Sequence, residues 1–142
     1  STSAPSWAVL VGSTSTAQDG ALVEGLRERG VVVITSFLEQ VEELYQASDC
    51  YFFPVLSSTG CIEVPLSVLE AMACDLPVVT TRYGGLEGHF PSSEGLLYGD
   101  DAGELLRLVE AARLVRQPGT RRTVEPYTWR AILQRTILSE DA

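Results

Sequence analysis

At 142 residues, with 45% hydrophobic and 20% charged side chains, the chain has the size and composition of one folded domain, not of a disordered segment. Its net charge is −9 and every basic residue is an arginine, so nucleic acid is not an expected partner. No apolar run approaches the roughly 20 residues of a membrane span and no signal-peptide pattern opens the chain, so no transmembrane segment is expected.

Residues 1–6 read as a flexible lead-in or a cloning remnant, and residues 7–138 as the domain itself. Residues 7–11 (WAVLV) form a wholly apolar run, the pattern of a strand covered on both faces. Gly12 ends it, and an amphipathic helix with Leu22 and Leu26 on its inner side runs to a capping Gly30. Residues 31–35 (VVVIT) predict a second strand, and 39–47 a second helix with Val41, Leu44 and Tyr45 facing inward. Residues 50–55 (CYFFPV) predict a third strand. A third helix over 65–74 follows, with Pro65 in its first turn and Leu66, Leu69 and Ala73 on its buried face.

Residues 76–81 and 95–98 predict two more strands, separated by a loop over 82–90. A long helix over 101–116 carries Leu105, Leu108, Val109 and Ala112 on one stripe. After a turn at 117–120, residues 128–138 predict a terminal helix. Strand and helix in alternation, with short connections, specify an α/β domain with a parallel sheet. Such sheets bind ligands beyond the carboxyl ends of their strands, where the loops at 12–17, 36–38, 56–64 and 82–90 fall. Trp7 and Trp129 read as packing residues.

Two carboxylates stand at that rim. Glu63 precedes the third helix, and an acidic side chain there is equally explained by the helix dipole. Glu70 lies inside the helix between Leu69 and Ala71, where an ionised group needs a partner. A diol is a good one, because two hydroxyls can donate to one carboxylate. The hydroxyl-rich loop ahead of the helix suits an anion such as a pyrophosphate. Without lysine, that anion must be held by arginine, backbone N–H groups or a helix N-terminus.

In order, the chain offers Ala47 to Asp49, Pro54, Ser57 to Thr59, Glu70-Ala71-Met72-Ala73, Pro77-Val78-Val79, Gly84-Gly85 and Tyr127-Thr128-Trp129. This ordered set resembles the C-terminal, donor-binding domain of the retaining family 4 (group 1) glycosyltransferases. The resemblance implies a Rossmann-like parallel sheet flanked by helices, the second half of a GT-B enzyme. It implies a nucleoside diphosphate sugar as donor and a hydroxyl acceptor, in polysaccharide or glycoconjugate synthesis of the hexosyltransferase type. Glu70 would bind the donor ribose, and Glu63 would face the sugar as the catalytic carboxylate. Ser58, Thr59, Gly60, Cys61 and Ile62 would line the diphosphate and sugar, with Ser36 and Phe37 beside the base. Arg82 is a further phosphate candidate, set against a solvated surface arginine.

The sequence departs from the family pattern in one spacing. Six residues separate Glu63 from Glu70, and Ile62 takes the expected place of the first glutamate. Either the loop shortens by one residue and Glu63 still serves, or the sugar contact is altered. The family's basic diphosphate clamp and its N-terminal acceptor domain have no counterpart in these residues, so the chain alone is expected to be inactive. No cofactor or metal is implied, since no Asp-x-Asp cluster occurs and Asp100-Asp101 read as a helix start. Cys50, Cys61 and Cys74 sit in apolar settings, as thiols of a reducing compartment do. A cytoplasmic location follows, peripheral to the membrane or not in the full-length enzyme. A nucleotide-sugar epimerase of the same architecture and a non-catalytic nucleotide-binding α/β module are the competing readings.

Overall fold

The structure, a computed structural model, describes residues 6–13, 17–55 and 62–137. The expected lead-in, apart from Ser6, and the loop residues Ser58, Thr59, Gly60 and Cys61 lie outside the described residues. The fold divides into two compact units whose boundary falls between Glu39 and Gln40.

In the first unit, β1 (Val9–Val11) and β2 (Val32–Ile34) pair in parallel, Val9 opposite Val32 and Val11 opposite Ile34. The helix between them, α1 (Gly20–Glu28), starts where the Asp19 carboxylate accepts from the N–H groups of Ala21 and Leu22, at 3.0 and 3.2 Å. It ends at Gly30, whose φ of 83° favours glycine. The expectation that β1 is covered on both faces is not met, since each of its residues is more than 40% exposed. Leu22 is likewise exposed. Two short strands and one helix supply too little apolar surface within this unit to enclose them.

The second unit holds α2 (Val41–Gln46), β3 (Tyr51–Phe53), α3 (Leu66–Ala73), β4 (Val78–Thr81), α4 (Leu86–His89), β5 (Leu96–Gly99), α5 (Ala102–Ala112), α6 (Thr120–Val124), a 3₁₀ turn (Glu125–Tyr127) and α7 (Trp129–Ile137). Its strands run parallel in the order β3-β4-β5, with Tyr51 opposite Val78 and Val78 opposite Leu96. Successive side chains of β4 point to opposite faces. Val78 enters the core with Val68, Met72, Leu86, Phe90, Leu96 and Val124, while Val79 enters a second core with Leu105 and Ala112. The central strand is thus covered on both faces, as an apolar parallel strand requires.

Helix α3 buries a different face from the expected one. Val68, Ala71 and Met72 are fully buried and Leu69 only partly, while Leu66 and Ala73 are exposed. Pro65 is the residue before the first turn, its carbonyl accepting from the Val68 N–H at 3.1 Å. The stripe on α5 is as expected, with Leu105 and Ala112 buried and Leu108 and Val109 packed beside them. Asp101 caps that helix by accepting from the Glu104 N–H at 2.8 Å.

Two short helices were not expected: α4 within the predicted loop, and α6 after the predicted turn. α6 is fastened to the end of α3 by contacts distant in sequence. Thr120 Oγ1 donates to the Leu76 carbonyl (3.1 Å), the Arg121 N–H donates to Asp75 Oδ1 (3.1 Å), and Arg121 Nε donates to the Ala73 carbonyl (2.7 Å). Trp7 and Trp129, read as packing residues, are 79% and 81% exposed. No helix among the described residues is long and apolar enough to cross a membrane.

Candidate functional site

Glu63 lies in the bend that leads into α3, at the rim where the loops following the strands of the second unit gather. Its backbone rests on the Tyr83-Gly84-Gly85 turn that follows β4. A Cβ placed on Gly84 would stand 2.7 Å from the Glu63 carbonyl oxygen and 2.9 Å from its Cα. Gly84 also has a φ of 55°, so both the backbone conformation and the close approach demand glycine. One residue on, a Cβ on Gly85 would lie 3.7 Å from Glu63 Oε2 and 3.8 Å from His89 Nε2. The Glu63 carboxylate and the His89 imidazole therefore flank the same glycine. Ile62 beside them is 61% exposed.

Glu70 has different surroundings. It sits in the second turn of α3, on the flank turned away from Val68, Ala71 and Met72, and is exposed. The expectation that its position on an apolar helix would require a partner presumed an apolar setting, and exposure removes that requirement; Tyr45 Oη nevertheless donates to Glu70 Oε2 at 3.4 Å. Tyr45 is buried, and its ring meets that of Tyr51 edge to face at 5.5 Å, while Tyr51 stacks on Phe53 at 6.0 Å. Burial, reinforced by the neighbouring Tyr51 and the Glu70 carboxylate, pushes the phenol well above its ordinary pKa, so it stays a protonated donor. Val41, Glu42, Tyr45, Glu70, Ala73 and Cys74 line an open cleft of about 240 Å³ between α2 and α3.

Arg82, at the end of β4, is held by two carboxylates. Its Nη1 donates to Asp100 Oδ1 at 2.7 Å and its Nε to Glu87 Oε1 at 3.2 Å. The hydrogen bond to Asp100 is the main reason its pKa rises further. In the first unit, Ser36 and Phe37 follow β2 and are both exposed, Phe37 by 77%. Among the described residues no group of three or more His, Cys, Asp or Glu side chains is arranged to hold a metal ion.

Sequence reasoning did not find Tyr45 as the neighbour of Glu70. The two lie 25 residues apart on separate helices, and the inward-facing pattern of Tyr45 announces only a core residue. The glycine pair was visible, but not that Glu63 is what it approaches.

A family model described as Glycosyl transferases group 1 matches residues 5–116. Among solved structures, sucrose-phosphate synthase from Thermosynechococcus elongatus is similar, at 25% sequence identity and a TM-score of 0.66. That match covers 94% of this chain and 37% of the synthase, so the chain spans little more than a third of its neighbour's length. No curated protein sequence matches.

Proposed function

The chain belongs to the group 1 glycosyltransferases, and on that footing we propose that residues 7–138 bind the donor, a nucleoside diphosphate sugar, in a retaining transferase of GT-B architecture. The carboxylate of Glu70 accepts hydrogen bonds from the ribose hydroxyls. Glu63 faces the transferred sugar, and the Gly84-Gly85 turn fixes its backbone. Ser36 and Phe37 are the candidates for contacting the base, and residues 58–62 the candidates for the diphosphate. Backbone N–H groups and arginine stabilise the leaving diphosphate as charge develops on it. Arg82 contributes only when its pairing with Asp100 and Glu87 opens, an exposed arrangement that costs little to break.

The observation that carries this reading is the conjunction of the family match with the placement of Glu70. It is the carboxylate of the Glu-Ala-Met-Ala segment, exposed, on the helix that follows β3, beside an open cleft. The Tyr45 phenol takes one of its about four lone-pair sites, so the carboxylate keeps the capacity to accept from a diol. The family's acceptor site and basic diphosphate clamp have no counterpart among these 142 residues, which by themselves are proposed to transfer no sugar. The enzyme is cytoplasmic, and no metal is part of the proposal.

Binding measurements test it. Charge-assisted hydrogen bonds are worth about 1.5–3 kcal/mol, so Glu70→Gln weakens nucleoside diphosphate binding roughly tenfold or more while the fold persists. A 2′-deoxynucleotide shows much of the same loss with the unmodified protein and little further loss with the variant. Equal binding of ribo and deoxyribo ligands by both proteins would remove the ribose assignment.

A further inference from the structure

We propose that Tyr45 is a positioning residue for the donor: its phenol holds one oxygen of the Glu70 carboxylate and leaves the remaining lone pairs for the ribose diol. The inference rests on the ribose reading of Glu70. It begins from a contrast between the two side chains. Glu70 is exposed on a helix flank, and a glutamate carries among the largest rotamer freedoms of any side chain. Tyr45 is buried, its ring fixed edge to face against Tyr51 and packed in the core with Val68 and Met72. A rigid donor thus reaches a flexible acceptor across the gap between α2 and α3.

The chemistry of the pair favours orientation over neutralisation. A carboxylate offers about four lone-pair sites, of which a phenol takes one. An arginine in the same place would take two and compete with the diol. Burial keeps the phenol protonated through the physiological range, so the donor does not switch off. The separation of 3.4 Å is long for an O–H···O bond, so the restraint is partial in the free protein. Hydrogen bonds that act on a bound ligand commonly tighten only in the complex. Glu70 is exposed and lines an open cleft with Tyr45, Val41 and Ala73, so a ligand can reach it. Holding the carboxylate beforehand removes part of the ordering cost that the ligand would otherwise bear.

The test compares full-length wild-type protein, Tyr45→Phe, Glu70→Gln and the double variant. Each is titrated with uridine, adenosine and guanosine diphosphates and with their 2′-deoxy counterparts. The nucleotide bound tightest by wild type serves as the probe. Tyr45→Phe keeps the ring and its contact with Tyr51, so its thermal midpoint stays near that of wild type. The expected result is a fall of about three- to tenfold in affinity for the ribonucleotide, with a smaller fall for the deoxynucleotide, which keeps only its 3′-hydroxyl. The ribo-to-deoxy preference therefore narrows, which a loss of packing would not produce. In the Glu70→Gln background the same substitution has little further effect.

If Tyr45→Phe retains the full preference while Glu70→Gln loses it, the positioning role is wrong and the ribose reading stands. Should Tyr45→Phe weaken both nucleotides equally, the residue is structural only. A preference that survives Glu70→Gln overturns the ribose reading, and this proposal with it.

Discussion

Replacing Gly84 by alanine separates the two demands made on that position. The new Cβ would stand 2.7 Å from the Glu63 carbonyl oxygen, 2.9 Å from its Cα and 3.2 Å from its carbonyl carbon. All three are backbone atoms, so no side-chain rotation relieves the overlap. The φ of 55° adds the cost of a left-handed conformation, about 1–2 kcal/mol for a residue with a Cβ. Overpacking in a fitted site adds about 1–3 kcal/mol, giving a total of about 2–5 kcal/mol. Gly119→Ala is the control within the same unit: its φ is 67°, but nothing lies within 4 Å of its Cβ, so only the conformational part, about 1–2 kcal/mol, applies. Gly85→Ala meets ordinary contacts at 3.5–3.8 Å and has no positive φ, so it should cost less than either. Urea denaturation of the three variants gives the ranking. If Gly84→Ala is no more costly than Gly119→Ala, Glu63 does not rest on the turn as described.

Met72→Ala should destabilise by about 2–5 kcal/mol because the side chain is fully buried, whereas Leu66→Ala, 65% exposed, should cost under about 0.5 kcal/mol; equal losses in denaturant melts would mean that α3 presents another face. Thr120→Val keeps the shape but leaves the Leu76 carbonyl without its 3.1 Å donor, at a cost of about 1–3 kcal/mol by thermal melting; a neutral result would mean that this hydrogen bond does not fasten α6. Burial pushes the Cys50 thiol up to about 11, with Arg113 opposing in part, and only the thiolate reacts with alkylating agents. Its iodoacetamide labelling, followed by mass spectrometry, should therefore climb about tenfold per pH unit through pH 9.5, where an ordinary thiol levels off; a plateau near pH 8–9 contradicts the burial.

Elements whose pattern is decided locally were legible in the sequence. Helix α5 has a clean apolar stripe and an Asp101 cap, and β4 is a continuous β-branched run. Helix α3 is apolar nearly all round, with Ser67 and Glu70 as its only polar residues, so periodicity could not select the buried face. The sheet and α6 select it. α6 itself is five residues (TRRTV) with no apolar stripe, held by hydrogen bonds to Ala73, Asp75 and Leu76 more than 40 residues away. No local signal encodes such contacts. The site divided the same way. Glu63, Glu70 and the glycine pair stood out as a rim carboxylate, a carboxylate in an apolar run and a turn. That Gly84 makes room for Glu63, and that Tyr45 reaches Glu70, depends on tertiary packing alone.

Donor binding at this rim is the central claim, and amide chemical shifts of the labelled protein, titrated with a panel of uridine, adenosine and guanosine diphosphate sugars, test it most directly. One member of the panel should bind saturably, with the largest shifts at residues 62–64 and 69–71 and at Gly84 and Gly85. The same nucleotide lacking its 2′-hydroxyl should bind more weakly while moving the same amides. Shifts confined to α5 and α7, or no saturable shift with any sugar nucleotide, would contradict the account.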